Sequence, residues 1–166
     1  MIISDGRKHA GQSAELVVLS DPYYVKLVLD YRNPEGDLPL LRQEFMRLIA
    51  IFDQKKFKTH CRNCPGDARL LAFYKGTLFF EPWCSECTPY WVKKEAWKLD
   101  VFSDYLSALD YVDYYCHGER MFYKKIIRNI ARLKGLPKNL NASAAERFFN
   151  AEIPKEADVT HQINSI

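Results

Sequence analysis

The sequence predicts an α+β fold: a mainly helical small domain with an inserted β-hairpin that four cysteines tie together. Three observations carry this reading. Leu41, Phe45, Leu48, Ile49 and Phe52 repeat at helical spacing and make one apolar stripe. Two β-rich runs lie between two C-x-x-C pairs, Cys61/Cys64 and Cys84/Cys87. Beyond them helical periodicity returns and continues to about Phe149. A chain of 166 residues can hold a small module packed against a helical body. The expected division is a turn-helix module at 1–36, a helical body at 37–153 with the cysteine ribbon at 57–91, and a mobile polar tail at 154–166.

In chain order, Gly11 suits a turn that releases a short strand, and Ser20-Asp21-Pro22 reads as the start of a helix from Tyr23 to about Asp30. Tyr31 to Gly36 is turn-rich. Asp37 and Pro39 open the helix that bears the apolar stripe. Arg69–Tyr74 and Thr77–Glu81 form the hairpin around Lys75-Gly76. Ser103 is the expected cap of a helix reaching about Tyr115, with Phe102, Tyr105, Leu106, Leu109 and Val112 on its apolar side. A helix from about Glu119 to Lys134 stops at Gly135-Leu136-Pro137. Ser143-Ala-Ala-Glu146 has capping-box spacing and opens a last short helix.

The cysteines carry the clearest chemistry. Two-residue spacing lets both sulfurs of a pair reach one ion, and four thiolates satisfy tetrahedral Zn²⁺. Cys61, Cys64, Cys84 and Cys87 are therefore read as structural zinc ligands, with iron at the same ligands, a redox pair or unconnected thiols as the competing readings. Four protein ligands leave no position for a reacting water. His60 and His117 adjoin cysteines but are read as ordinary polar residues. The N-terminus lacks the pattern of a secretory signal, which points to a reducing cytoplasmic setting, and the longest apolar runs are too short to span a bilayer.

The formal charge of +3 falls to about +1 once four thiolates hold one Zn²⁺, because that centre contributes −2. Distribution is more informative than the total. Basic residues dominate Gln54–Tyr74 and Arg120–Lys138, whereas Asp100–Glu119 holds five acids and no Lys or Arg. Lys124, Lys125, Arg128, Asn129 and Arg132 share one helix face, opposite Phe122, Ile126, Ile130 and Leu133. Such a face can neutralise phosphates, and it equally suits a solvated helix surface. Tyr111, Tyr114, Tyr115, Tyr123, Trp83, Tyr90 and Trp91 are possible stacking rings, with core packing the alternative role. Asp100, Asp104, Asp110 and Asp113 read as a solvated face in preference to a Mg²⁺ site, and no hydrolase triad or P-loop spacing is present.

At the N-terminus, Lys8-His9-Ala10-Gly11 followed by Asp21-Pro22-Tyr23-Tyr24 resembles the small module at the C-terminus of exodeoxyribonuclease X-like proteins and in the quorum-sensing-regulated virulence factor-like family. The resemblance covers about the first thirty residues and departs at Gly6-Arg7 and at Ala10, where those modules carry an aromatic-glycine pair and a second lysine. It implies an accessory module of DNA-handling proteins without nuclease residues of its own. Arg7, Lys8 and His9 would form a further small positive cluster.

Together these readings lead to a non-enzymatic, zinc-stabilised nucleic-acid-binding accessory protein of bacterial or phage type. Lys55, Lys56, Lys58, Arg62, Arg69, Lys124, Lys125, Arg128 and Arg132 would contact phosphates of DNA or RNA. The alternatives are an adaptor within a larger protein complex and, last, a metal-dependent nuclease.

Overall fold

The structure is a computed structural model that describes residues 1–3, 8–32, 35–92 and 94–151, the side chains of Trp91 and Val92 excepted. The expected tail at 154–166, Arg7, part of the 31–36 linker and the ring of Trp91 lie outside the described residues.

The fold is a small α+β domain. Helices α1 (Ala14–Ser20), α2 (Pro22–Asp30) and α3 (Leu38–Gln54) precede strands β1 (Leu70–Tyr74) and β2 (Phe80–Trp83). A short helix α4 (Pro89–Val92) and a 3₁₀ turn (Ala96–Lys98) lead to β3 (Leu99–Phe102), and α5 (Tyr105–Tyr115), α6 (Arg120–Leu133) and α7 (Ala142–Asn150) follow. Among the described residues no helix is long and apolar enough to cross a membrane.

Local signals account for several of these elements. Asp21 accepts the Tyr24 N–H and caps α2, with Pro22 at its first turn. The stripe Leu41, Phe45, Leu48, Ile49 and Phe52 is buried along α3. Gly135, at φ +103°, ends α6 in a conformation that a side chain resists.

Four expectations need correction. Ala14–Ser20 is a helix, capped by Ser13 accepting the Leu16 N–H, where a short strand was expected. Phe102 belongs to β3, and α5 is capped by Asp104, which accepts the Ser107 N–H, so Ser103 is not the cap. Leu106 consequently points outward, 38% exposed. Asn141 caps α7 by accepting the Ala144 N–H, which places Ser143 inside the helix.

The sheet is antiparallel in the order β2-β1-β3. Leu71 opposes Phe102 and Pro82, while Ala72 opposes Val101 and Glu81, so the two faces separate cleanly by pleat alternation. On one face Leu71, Phe73 and Phe102 join the helical core, with Phe73 stacked on Phe102 at 4.8 Å between ring centres. The other face places Ala72, Trp83 and Leu99 beneath Cys61 as a second, much smaller core. The larger core runs from Ile3 and α1 through α3, α5 and α6 to Phe149. Tyr105 joins its layers, since its hydroxyl donates to the Val18 carbonyl at 2.7 Å and its N–H to the Asp53 carboxylate at 2.8 Å.

Candidate metal centre and basic cavities

Each cysteine pair lies at one end of the ribbon, and the sheet brings the two pairs together. Cys61 is held by its N–H donating to the Gly66 carbonyl at 2.8 Å. The Arg62 N–H donates to the Pro82 carbonyl at 2.9 Å, which docks the first knuckle on β2 just before Cys84. A Cβ at Gly66 would lie 3.4 Å from the Cys64 sulfur, so the turn passes tightly under that ligand.

The four sulfurs lie within 4.8 Å of one another and form a group that can hold a metal ion. Cys64 Sγ and Cys84 Sγ are 3.8 Å apart, against about 3.8 Å for the edge of a tetrahedron with metal–sulfur bonds of about 2.3 Å. Backbone donors are already aimed at the sulfurs: Asn63 N lies 3.4 Å from Cys61 Sγ and Cys87 N lies 3.3 Å from Cys84 Sγ. The Asn63 side-chain amide reaches Cys87 Sγ at 3.6 Å. Burial opposes ionisation of Cys61, but the amides of Asn63, Cys84 and Cys64 outweigh it and hold the thiol at about 6. At Cys64 the Gly66 amide favours the thiolate, yet the sulfurs of Cys87, Cys84 and Cys61 dominate and push it up to about 12. Four such sulfurs cannot all ionise side by side unless a cation joins them.

Among the described residues no other group of three or more His, Cys, Asp or Glu converges in this way. His60 is exposed and faces Asp67 at 3.6 Å, and His117 occupies a turn at φ +54°. Cys116 is buried in the helical core.

The candidate cations separate into groups. Lys55, Lys56 and Lys58 line a cavity of about 310 Å³ together with Lys134 and Arg147. Lys55, Lys56 and Lys134 also border an adjoining cavity of about 190 Å³, where Arg69 joins them alongside Asp53 and Asp67. Arg62 lies elsewhere, its guanidinium 3.2 Å from the buried Glu81 carboxylate. Along α6, Lys125 and Arg132 are exposed, while Lys124 and Arg128 are half-buried. Arg128 Nε is buried and finds no acceptor among the described residues, and burial together with Arg132 lowers its affinity for a proton. The buried side of α6 is Tyr123, Ile126, Ile127, Ile130 and Ala131, with Phe122 and Leu133 at its margin.

The N-terminal cations pair with an acid of the chain itself. Lys8 and His9 both contact the Asp21 carboxylate, and Arg120 approaches the same oxygen at 3.5 Å. Of the candidate rings, Trp83, Tyr111 and Tyr123 are buried, whereas Tyr90 and Tyr114 are exposed.

Three participants escaped the sequence reading: Asn63, Lys134 and Arg147. Asn63 sits inside the first C-x-x-C pair, where the turn must aim its amides at the sulfurs, and that position was the available signal. Lys134 precedes the Gly135 stop, a position at which a lysine can bond helix-terminal carbonyls; its ammonium donates to the Phe52 carbonyl at 2.9 Å and the Asp53 carbonyl at 3.3 Å. Nothing local distinguishes Arg147.

Comparison of the chain with protein-family models, with curated proteins and with solved structures finds no match.

Proposed function

We propose that this chain is a non-enzymatic nucleic-acid-binding accessory protein whose four-cysteine ribbon holds one structural Zn²⁺. Cys61, Cys64, Cys84 and Cys87 would bind the ion, which supplies positive charge to four thiolates and ties two knuckles to the sheet. The donor set is all sulfur, and the 3.8 Å between Cys64 Sγ and Cys84 Sγ suits zinc in a tetrahedron.

The observation that carries the nucleic-acid reading is the convergence of Lys55, Lys56, Lys58 and Arg69 on two adjoining cavities that share Lys134. Those residues span the link from α3 into the first knuckle, so the ribbon positions the cations that would meet phosphates. The exposed face of α6, with Lys125 and Arg132, would extend the contact. The N-terminal resemblance to accessory modules of DNA-handling proteins points the same way. Binding of a fluorescent oligonucleotide should weaken steeply with salt, with a slope of log K against log[salt] near −0.7 for each single-strand phosphate neutralised. A flat response, or no binding at low salt, would refute the reading.

An adaptor role has one specific observation in its favour. A cavity of about 650 Å³ beside the edge strand β3 is lined by Asp100, Asp110 and Asp113 with Tyr111, Tyr114 and Tyr115, a combination suited to a Lys/Arg-rich peptide. In that reading an Arg-rich peptide binds the wild type and not Asp110→Lys, while oligonucleotides bind neither.

A further inference from the structure

The two edges of the sheet are finished differently. Bonded pairs alternate along an antiparallel ladder, and the Tyr74 N–H donates to the Phe79 carbonyl at 3.0 Å, so Pro82 turns its main chain away from β1. Proline has no N–H to offer there, and its carbonyl already accepts the Arg62 N–H at 2.9 Å. The first knuckle thus covers β2 at that point. On the other side the Lys75 N–H donates to the Lys98 carbonyl at 2.9 Å. By the same alternation Asp100 and Phe102 face β1, while the main-chain groups of Leu99 and Val101 point outward. The Leu99 N–H returns to the Ala96 carbonyl. The Leu99 carbonyl and both main-chain groups of Val101 have no partner among the described residues.

Residues of β3 and α5 together line the 650 Å³ cavity beside this edge. Ser107, Asp110, Tyr111 and Tyr114 recur at i, i+3, i+4 and i+7, so one face of α5 borders it. Seven helical residues rise about 10 Å, the length of about three extended residues. Asp100 shares its sheet face with Phe102 by pleat alternation, which puts its carboxylate on the α5 side. Asp113 is engaged by Lys26 at 3.3 Å and by the Tyr123 hydroxyl. Asp100 and Asp110 make no ion pair or hydrogen bond through their side chains among the described residues. Tyr114 is 80% exposed beside them. Its neighbour Tyr115 already carries the Lys75 ammonium 5.1 Å over its ring, the contact that a further cation would repeat on Tyr114.

Acids at a sheet edge can serve only to discourage aggregation. That role would require neither Asp110 across the cavity nor an exposed ring next to it. We propose that an extended Lys/Arg-bearing peptide adds antiparallel to β3 as a fourth strand, its basic side chains facing Asp100, Asp110 and Tyr114. The inference rests on the peptide reading of this cavity and is independent of the nucleic-acid one. It also fixes a pattern. The peptide residue opposite Val101 exchanges main-chain bonds with it and points its side chain to the ribbon face, where Val101 packs on the second core. Residues on either side of it point toward α5, so basic and apolar residues should alternate. A second copy of the chain fits less well, because it would bring like carboxylates toward one another across the strands.

The test uses the full chain prepared with Zn²⁺ and a capped, fluorescent Lys-Val-Arg-Val-Lys peptide at low salt. N-methylation of either valine withdraws a donor aimed at β3 and should weaken binding about tenfold or more. N-methylation of the central arginine withdraws a donor aimed at water and should leave affinity nearly unchanged. Val101→Pro, which removes only an outward N–H, should lower affinity for the unmethylated peptide, and so should Asp100→Lys. If the peptide binds but methylation at valine and at arginine has equal effect, strand addition is overturned and the adaptor reading stands. No binding of any peptide overturns both and leaves the nucleic-acid reading untouched. Sedimentation as a dimer that Val101→Pro makes monomeric would overturn the peptide as occupant and give the edge to a second copy.

Discussion

The ribbon and the helical body solve the same problem with different means. The body buries α1, α3, α5, α6 and α7 around one continuous apolar core that includes Phe45, Phe52, Tyr105 and Ile126 at 0% exposure. On the cysteine side of the sheet, the buried residues of the second cluster are only Cys61, Ala72, Trp83 and Leu99. A core of that size cannot offset the entropy of ordering two knuckles and a hairpin. Four converging sulfurs joined by the proposed zinc ion would, since structural zinc sites contribute apparent binding energies of about 10–16 kcal/mol near neutral pH. On the metal-centre reading the sheet has two dependencies: its inner face stands on packing and its outer face would stand on coordination.

The largest effect should come from removing the proposed ion. Chelation, or Cys61→Ser, is expected to lose the fixed geometry of 57–91 while the far-UV helical signal largely persists; a two-dimensional amide spectrum would show ribbon resonances collapsing and those of α3 and α6 remaining. Uniform loss of all resonances would erase the distinction between the two regions.

The converse perturbation is smaller. Phe45→Ala on α3 removes a fully buried ring from the body and should cost about 3–5 kcal/mol in denaturant unfolding, with metal stoichiometry unchanged in the folded protein. A cost well below that range would mean that the body relies on the ribbon for its own stability.

The smallest effect concerns the seam. Lys134 is 4% exposed and lies over the rings of Phe52 and Phe57, where α3 leads into the ribbon. Burial holds its ammonium down to about 8, against about 10.4 for a lysine in an unfolded chain. Between these values the unfolded chain binds more protons than the folded one, so the cost of burying the charge is complete below about pH 8 and recedes as pH rises toward 10. Thermal unfolding of wild type and Lys134→Met should therefore diverge across that window, with the wild type gaining relative to the variant. Parallel curves would show that the charge is equally well solvated in both states.

Much of this was legible from residue spacing. The α3 stripe, the two cysteine pairs, the Asp21 cap and the Gly135 stop are local features whose energetics lie within one or two turns of chain. β3 was not legible, because Leu99–Phe102 is a run of four residues interrupted by Asp100 that becomes a strand only by pairing with β1. Cap positions were uncertain by one or two residues where Ser103 and Asp104, or Asn141 and Ser143, compete for the same role.

By itself the sequence determined which groups exist to do chemistry: four thiols at ligand spacing, cations concentrated in two segments and acids in another. Which of them act together was decided by the tertiary structure. Lys55 meets the Ala151 carbonyl across 96 positions, and Lys134 meets Phe52 across 82. Asp21 instead gathers Lys8, His9 and Arg120 around one carboxylate. The reason is physical: periodicity and capping report forces that act within a few residues, whereas charge convergence depends on where helix ends are packed, and packing is set by the shared core.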